Sequence, residues 1–91
     1  MTFREGEATK FLENFDVVKT QIRGFNGCEY LELWNDIDDA STFFTYSKWQ
    51  SAEHLNAYRN SQLFKETWKF TKALFAEKAS AWSIKEIRTL G

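Results

Sequence analysis

The chain contains no proline and only one cysteine, one histidine and one methionine among its 91 residues. A single cysteine, Cys28, cannot form an intrachain disulfide and is typical of a reducing compartment, so we expect a cytoplasmic protein. One histidine and one cysteine are too few for a typical zinc site. Glycine is also scarce, with four residues and no phosphate-binding glycine-rich loop. We therefore predict that the protein has no metal and no cofactor.

Charge and hydropathy argue against two further classes of partner. Twelve Lys and Arg residues oppose thirteen Asp and Glu residues, which gives a net charge of −1 and leaves no basic stripe for nucleic acid. No apolar run approaches the roughly 18 residues of a membrane span. The N-terminus also lacks the pattern of a signal peptide. We expect neither nucleic acid nor membrane as a partner.

Aromatic side chains are abundant instead, with nine Phe, four Trp and three Tyr residues. We expect residues 1–91 to form a single domain. A domain of this size buries only about 60–65% of the surface that its unfolded chain exposes. Sixteen large rings are many for so small a core. Some of them are therefore predicted to line a cavity or an interface.

Two neighbouring segments, Cys28–Asn35 and Thr42–Trp49, are predicted to form a hairpin of strands joined by a polar loop. Side chains alternate between the faces of a strand. In the second strand, one face carries Phe43, Thr45, Ser47 and Trp49, and the other carries Thr42, Phe44, Tyr46 and Lys48. In the first strand, Cys28, Tyr30, Glu32 and Trp34 share a face. Apolar residues occupy both faces, so the hairpin needs a cover on each side.

Helical patterns flank this hairpin. Apolar residues recur at helical spacing from Glu7 onwards, and Gly24 is a natural end for that helix. Ser51 is a predicted N-cap of a short helix, and Ser61 caps a longer one that we expect to span Gln62–Lys78. Ala81–Ile87 is predicted to be the last strand.

The resulting order of strand, helix, two strands, helix in two pieces and strand is that of an α+β, ferredoxin-like fold. Such a fold places its helices on one face of an antiparallel sheet. The first strand, Met1–Arg4, is short, so its natural start lies upstream or the edge of the sheet is clipped. The helix-free face has no cover within the chain, which predicts a homodimer formed through that face.

The run FFTYSKWQSAEHLNAYRNSQLFKETW, with the Asn-Gly-Cys turn before it, resembles the antibiotic biosynthesis monooxygenase (ABM) domain family. The main marks are a strand that ends in Trp49, followed by Ser51 and Glu53, and an SxxF segment at Ser61–Phe64. The resemblance extends over nearly the whole chain. It implies a dimeric α/β barrel and cofactor-independent oxidation of a small aromatic ligand, a quinol or polyphenol, with O2. This is the function that we predict.

The same stretch of sequence argues against one activity of the resembled family, the degradation of haem. Haem-degrading members carry a His four residues after the Phe of the SxxF segment, where this chain has Trp68. They also carry a Trp six residues before that Phe, where this chain has Tyr58. An Asn on their first strand has no counterpart here. Haem degradation is therefore disfavoured, and the alternatives are a non-catalytic small-molecule-binding or stress-associated protein and a small-molecule isomerase.

The candidate site residues follow from chemistry and from the resemblance. His54 is the only side chain whose ordinary pKa lies near neutrality, so it is the candidate general base, unless it simply faces solvent. Tyr58 is the second catalytic candidate, because its hydroxyl can hydrogen-bond a substrate oxygen. Trp68 matches a pocket position of the resembled family. The predicted substrate-binding residues are Trp68, Tyr46, Trp49 and Phe64, and the alternative for each is ordinary packing.

Overall fold

A computed structural model describes residues 1–90 of the chain. Its helices and strands are α1 (Ala8–Arg23), β1 (Cys28–Asn35), β2 (Phe43–Trp49), α2 (Ala52–Arg59) and α3 (Gln62–Lys72). β1 and β2 form an antiparallel sheet, and the helices pack on one of its faces. The fold is therefore of the predicted α+β, ferredoxin-like type. None of the helices within residues 1–90 is long and apolar enough to cross a membrane.

The hairpin forms over nearly the predicted bounds, but its first strand contains a β-bulge. The pairing register shifts between Cys28 and Tyr30. As a result Cys28 is buried, at 7% exposure, whereas Tyr30 is 43% exposed on the other face of the sheet. A bulge inserts an extra residue into a strand and so changes the face on which the following side chains lie. The prediction that these two residues share a face was wrong for this reason.

The core is built from rings contributed by distant parts of the chain. Phe11, on the apolar stripe of α1, stacks on Phe3 at a centroid distance of 4.5 Å and lies 5.3 Å from Phe43 of β2. Leu74 completes the buried cluster. The backbone of the N-terminal segment pairs with the start of β2 on one side and with residues 74–76 on the other. Its Phe3 is the most deeply buried large side chain among residues 1–90.

α3 ends at Lys72, six residues before the predicted end at Lys78. The chain turns away from the helix because Leu74 is buried in the core and Phe75 forms a β-bridge with Phe3. The backbone of Thr2 accepts a hydrogen bond of 2.8 Å from the Ala76 N–H. These contacts with the N-terminal segment replace the last helical turns.

The predicted last strand, Ala81–Ile87, does not form in the structure. Trp82 and Ile84 are 78% and 80% exposed. Backbone pairing with the N-terminal segment reaches only Ala76, so the residues that follow have no neighbouring strand edge within residues 1–90. A strand without such an edge cannot satisfy its backbone groups by pairing.

The helix-free side of the hairpin is rich in aromatic side chains. We call it the outer face; it consists of Tyr30, Glu32, Trp34, Phe44, Tyr46 and Lys48. The rings of Trp34 and Tyr46 stack at a centroid distance of 5.9 Å, and the Lys48 Nζ lies 5.6 Å from the centre of the Tyr30 ring. Trp34 and Phe44 remain 53% and 47% exposed. The prediction of aromatic residues on both faces of the hairpin is confirmed.

Candidate functional site

A cavity of about 520 Å³ lies between the inner face of the hairpin and the three helices. Four of the six predicted site residues line it, namely Trp49, Tyr58, Phe64 and Trp68. The segment 79–83 lines it as well. The volume and the aromatic wall suit a small planar ligand.

The aromatic side chains of the wall form a continuous series. The ring of Tyr58 stacks on Trp49 at a centroid distance of 5.0 Å and meets the edge of Phe64 at 5.2 Å. Phe64 in turn stacks on Trp68 at 6.1 Å, with the two planes 8° apart. Each ring thereby restricts the rotamer of the next, so the wall is held in one arrangement.

Two serine caps position this wall, as the sequence predicts. Ser51 Oγ accepts a hydrogen bond of 3.2 Å from the His54 N–H at the start of α2. Ser61 Oγ accepts one of 3.1 Å from the Phe64 N–H at the start of α3 and donates to the Tyr58 carbonyl at 2.5 Å. The second serine therefore joins the end of α2 to the start of α3. This joint brings the side chains of Tyr58 and Phe64 together.

Tyr58 is the polar group of the aromatic wall. Burial raises the pKa of Tyr58 to about 12, and the neighbouring Cys28 contributes to the rise. Its hydroxyl makes no hydrogen bond to the protein within residues 1–90, and since no buried side-chain polar atom there lacks a partner, this hydroxyl is accessible from the cavity or from solvent. At neutral pH Tyr58 is therefore a protonated phenol that can donate a hydrogen bond to a ligand. It cannot act as a base in that state.

The raised pKa of Tyr58 predicts a distinct step in an alkaline titration. Because the folded-state pKa of about 12 exceeds the ordinary value of 10.0, the folded state binds the proton more tightly than the unfolded state. The contribution of this pKa shift to the free energy of unfolding is complete below pH 10 and is lost as the pH rises through the pKa of folded Tyr58. Absorbance at 295 nm should show one tyrosine ionising last, and Tyr58→Phe should remove that step. A step near pH 12 that persists in Tyr58→Phe would contradict the assignment.

His54 lies one helical turn before Tyr58, but it is not among the residues that line the cavity. Its ring packs against the backbone of Gly27, where a Cβ atom would lie 2.3 Å from the His54 Cγ. Gly27 also has a φ of 89°, which favours glycine. The His54 Nδ1 is 2.6 Å from Ser51 Oγ. The catalytic role of His54 remains a prediction. Because His54 does not line the cavity, its imidazole would not contact a ligand there directly.

Tyr46 lies on the other side of the sheet from the cavity. It belongs to the outer face, where it contacts Trp34 and Tyr30 at centroid distances of 5.9 and 6.1 Å. The structure therefore separates Tyr46 from the four predicted site residues that line the cavity.

Several lining residues were not selected from the sequence. Thr45 and Ser47 face the cavity from β2, and Arg59 faces it from the last position of α2. The strand alternation that places Trp49 on the inner face also places Thr45 and Ser47 there, so the sequence could have predicted these two residues. For Arg59 the sequence offers only its position next to Tyr58. Within residues 1–90, no three His, Cys, Asp or Glu side chains are grouped so that they could hold a metal ion.

Comparison with solved structures supports the fold. The structure is similar to Rv0793 from Mycobacterium tuberculosis, with a TM-score of 0.87 and 14% identity over 99% of this chain and 91% of the other. It is similar to a conserved protein from Methanosarcina mazei Go1, with a TM-score of 0.80 and 12% identity over 85% and 76% of the two chains. PA3566 from Pseudomonas aeruginosa gives a TM-score of 0.73 and 21% identity over 85% and 78%. Similarity at these identities establishes the fold alone.

Sequence comparison is more specific than these structural similarities. No curated protein sequence matches the chain. The family model for antibiotic biosynthesis monooxygenase matches residues 1–69, which include both strands, α1, α2 and most of α3. The matched part carries all six of the predicted site residues. The chain therefore belongs to the antibiotic biosynthesis monooxygenase family.

Proposed function

We propose that the protein oxidises a small aromatic substrate of the quinol or polyphenol type with O2, without a cofactor. The observation that carries this proposal is the Tyr58 hydroxyl, which is neutral at pH 7, has no protein partner and lies in the aromatic wall of the cavity. A flat phenolic ring can stack against this wall while its oxygen accepts a hydrogen bond from Tyr58. Membership of a monooxygenase family supports oxygen chemistry at this site.

The proposed reaction needs no external reductant. In the conversion of a phenol with a free para position to a quinone, the substrate loses its hydroxyl proton and its para hydrogen. One oxygen atom of O2 becomes the new carbonyl oxygen, and the other leaves as water with the two hydrogens. All four electrons that reduce O2 come from the substrate. The protein contributes orientation, exclusion of water and hydrogen bonding to the phenolic oxygen.

His54 is the proposed proton acceptor, because no other side chain has an ordinary pKa near neutrality. It lies on α2 one turn from Tyr58, so a proton that leaves the cavity beside Tyr58 has a short path to the imidazole. The contact with Ser51 leaves the second ring nitrogen for this role. We propose transfer through water, since His54 does not line the cavity.

The same placement of His54 favours a second candidate function. A cavity with a hydrogen-bond donor but no base in its wall is sufficient for a small-molecule-binding protein that performs no chemistry. In that case Tyr58 and the aromatic wall would bind a phenolic compound without turnover. The two candidates differ in whether O2 is consumed.

We further propose that the protein is a cytoplasmic homodimer formed through the outer face. Tyr30, Trp34 and Phe44 are between 43% and 53% exposed there, and together they form an apolar patch on the helix-free side. Contiguous patches of this kind are typical of protein interfaces. A second copy offers the same rings in an isologous contact. The buried free thiol of Cys28 is consistent with a reducing compartment.

Oxygen uptake tests the proposed reaction. With 1,5-dihydroxynaphthalene as the substrate and metal-stripped protein without flavin, we expect O2 consumption above buffer and one labelled oxygen atom in the quinone formed under ¹⁸O2. Tyr58→Phe should slow turnover by about tenfold, the effect of losing one hydrogen bond to a developing anion. His54→Ala should slow it by about a hundredfold if His54 accepts the proton.

The two variants separate the parts of this proposal. Full activity in His54→Ala would remove His54 from the mechanism and leave the oxygenase reaction in place. Binding of the naphthalenediol without O2 uptake would favour the binding protein instead. Lys65→Gln, on the exposed side of α3, is the control and should leave turnover unchanged.

A further inference from the structure

Among the described residues that line the cavity, Arg59 is the only one with a charged side chain. It occupies the last position of α2, directly after Tyr58. None of the ion pairs within residues 1–90 uses its guanidinium. The other lining side chains are apolar, aromatic or hydroxyl-bearing, so no carboxylate in the wall neutralises this charge.

We infer that the cavity selects an aromatic anion, that is, a flat ring bearing a carboxylate or a phenolate oxygen, and that Arg59 pairs with this oxygen. The inference rests on the proposed function, because it assigns the substrate class of the same cavity. Arg59 lines the cavity but is exposed to solvent, so the expected preference comes from a charge-assisted hydrogen bond that salt can screen. The same charge disfavours aromatic cations.

Tyr58 and Arg59 both line the cavity, so a ring bound there meets two kinds of hydrogen-bond donor. The Tyr58 hydroxyl supplies one donor, and the planar guanidinium supplies up to five. A phenol whose oxygen pairs with the Arg59 guanidinium would ionise more readily than in water, because the positive charge stabilises its anion. Arg59 thus acts as a specificity-determining residue that also favours the electron-rich phenolate, the form that reacts with O2.

Calorimetric binding of a matched pair of probes tests this inference without turnover. The anion 2-naphthoate and the neutral 2-naphthamide have nearly the same shape and differ in charge. At low ionic strength, 2-naphthoate should bind about tenfold more tightly, the fold-change expected from one charge-assisted hydrogen bond. Added salt should reduce this preference, because an exposed cation is screened.

Variants at Arg59 identify the source of the preference. Arg59→Gln should abolish it by weakening 2-naphthoate binding more than 2-naphthamide binding, and Arg59→Lys should retain part of it because the charge remains. Lys65→Gln removes the same charge from a residue outside the cavity and should have no effect. Equal binding of the two probes to the wild type, or an unchanged preference in Arg59→Gln, would overturn the inference. Either result would still support binding of an aromatic ligand in the cavity. Binding of neither probe would overturn both the inference and the proposed function.

Discussion

Replacing Phe43 with alanine is expected to lower the free energy of unfolding by about 3–5 kcal/mol, the usual range for deleting a buried phenyl ring. Phe43 is 5% exposed and lies 5.8 Å from Phe3 and 5.3 Å from Phe11, between ring centroids. Its ring thus joins β2 to the N-terminal segment and to α1. A small domain is stable by only about 5–15 kcal/mol, so the variant should be substantially unfolded at 37 °C.

The neighbouring Phe44 provides a matched control for this prediction. It is the same residue type on the same strand, but it lies on the outer face and is 47% exposed. Urea unfolding followed by circular dichroism should show a much smaller loss for Phe44→Ala. If the protein is a dimer, that loss should depend on protein concentration, whereas the Phe43→Ala loss should persist at every concentration. Equal losses for the two variants at all concentrations would contradict the assignment of Phe43 to the core.

Trp34→Glu is expected to convert the proposed homodimer into a monomer. In an isologous interface each substitution occurs twice, so two carboxylates would be buried near the Glu32 of each copy. Loss of a central aromatic residue costs about 2 kcal/mol or more in an interface, and the unpaired charge adds to this cost. Sedimentation at micromolar concentration should give about twice 10.7 kDa for the wild type and 10.7 kDa for the variant.

Val17→Glu is the control for the outer face. Val17 is 69% exposed on α1, away from the hairpin, and the same charge there should leave the sedimentation unchanged. If Trp34→Glu remains a dimer, the interface lies on a surface other than the outer face. A wild-type protein that sediments as a folded monomer would refute the dimer itself.

Local patterns in the sequence were sufficient to predict α1, the hairpin and the two serine caps. These features depend on contacts between residues close in the chain, such as the alternation of side chains in β2 and the capping of α3 by Ser61. The same alternation correctly separated Trp49, in the cavity, from Tyr46, on the outer face. It did not indicate which of the two faces would bind a ligand, so both residues were candidates for the site.

Tertiary contacts decided the features that the sequence left open. α3 ends at Lys72 because Phe75 pairs with Phe3, some seventy residues earlier. The segment 81–87 is not a strand, despite its β-type alternation, because within residues 1–90 it pairs with no other strand. His54 packs on Gly27 and thus outside the cavity wall, and Arg59 enters that wall through the orientation of α2. Each of these outcomes depends on residues far apart in the chain, and the periodicity of a single segment carries no information about such contacts.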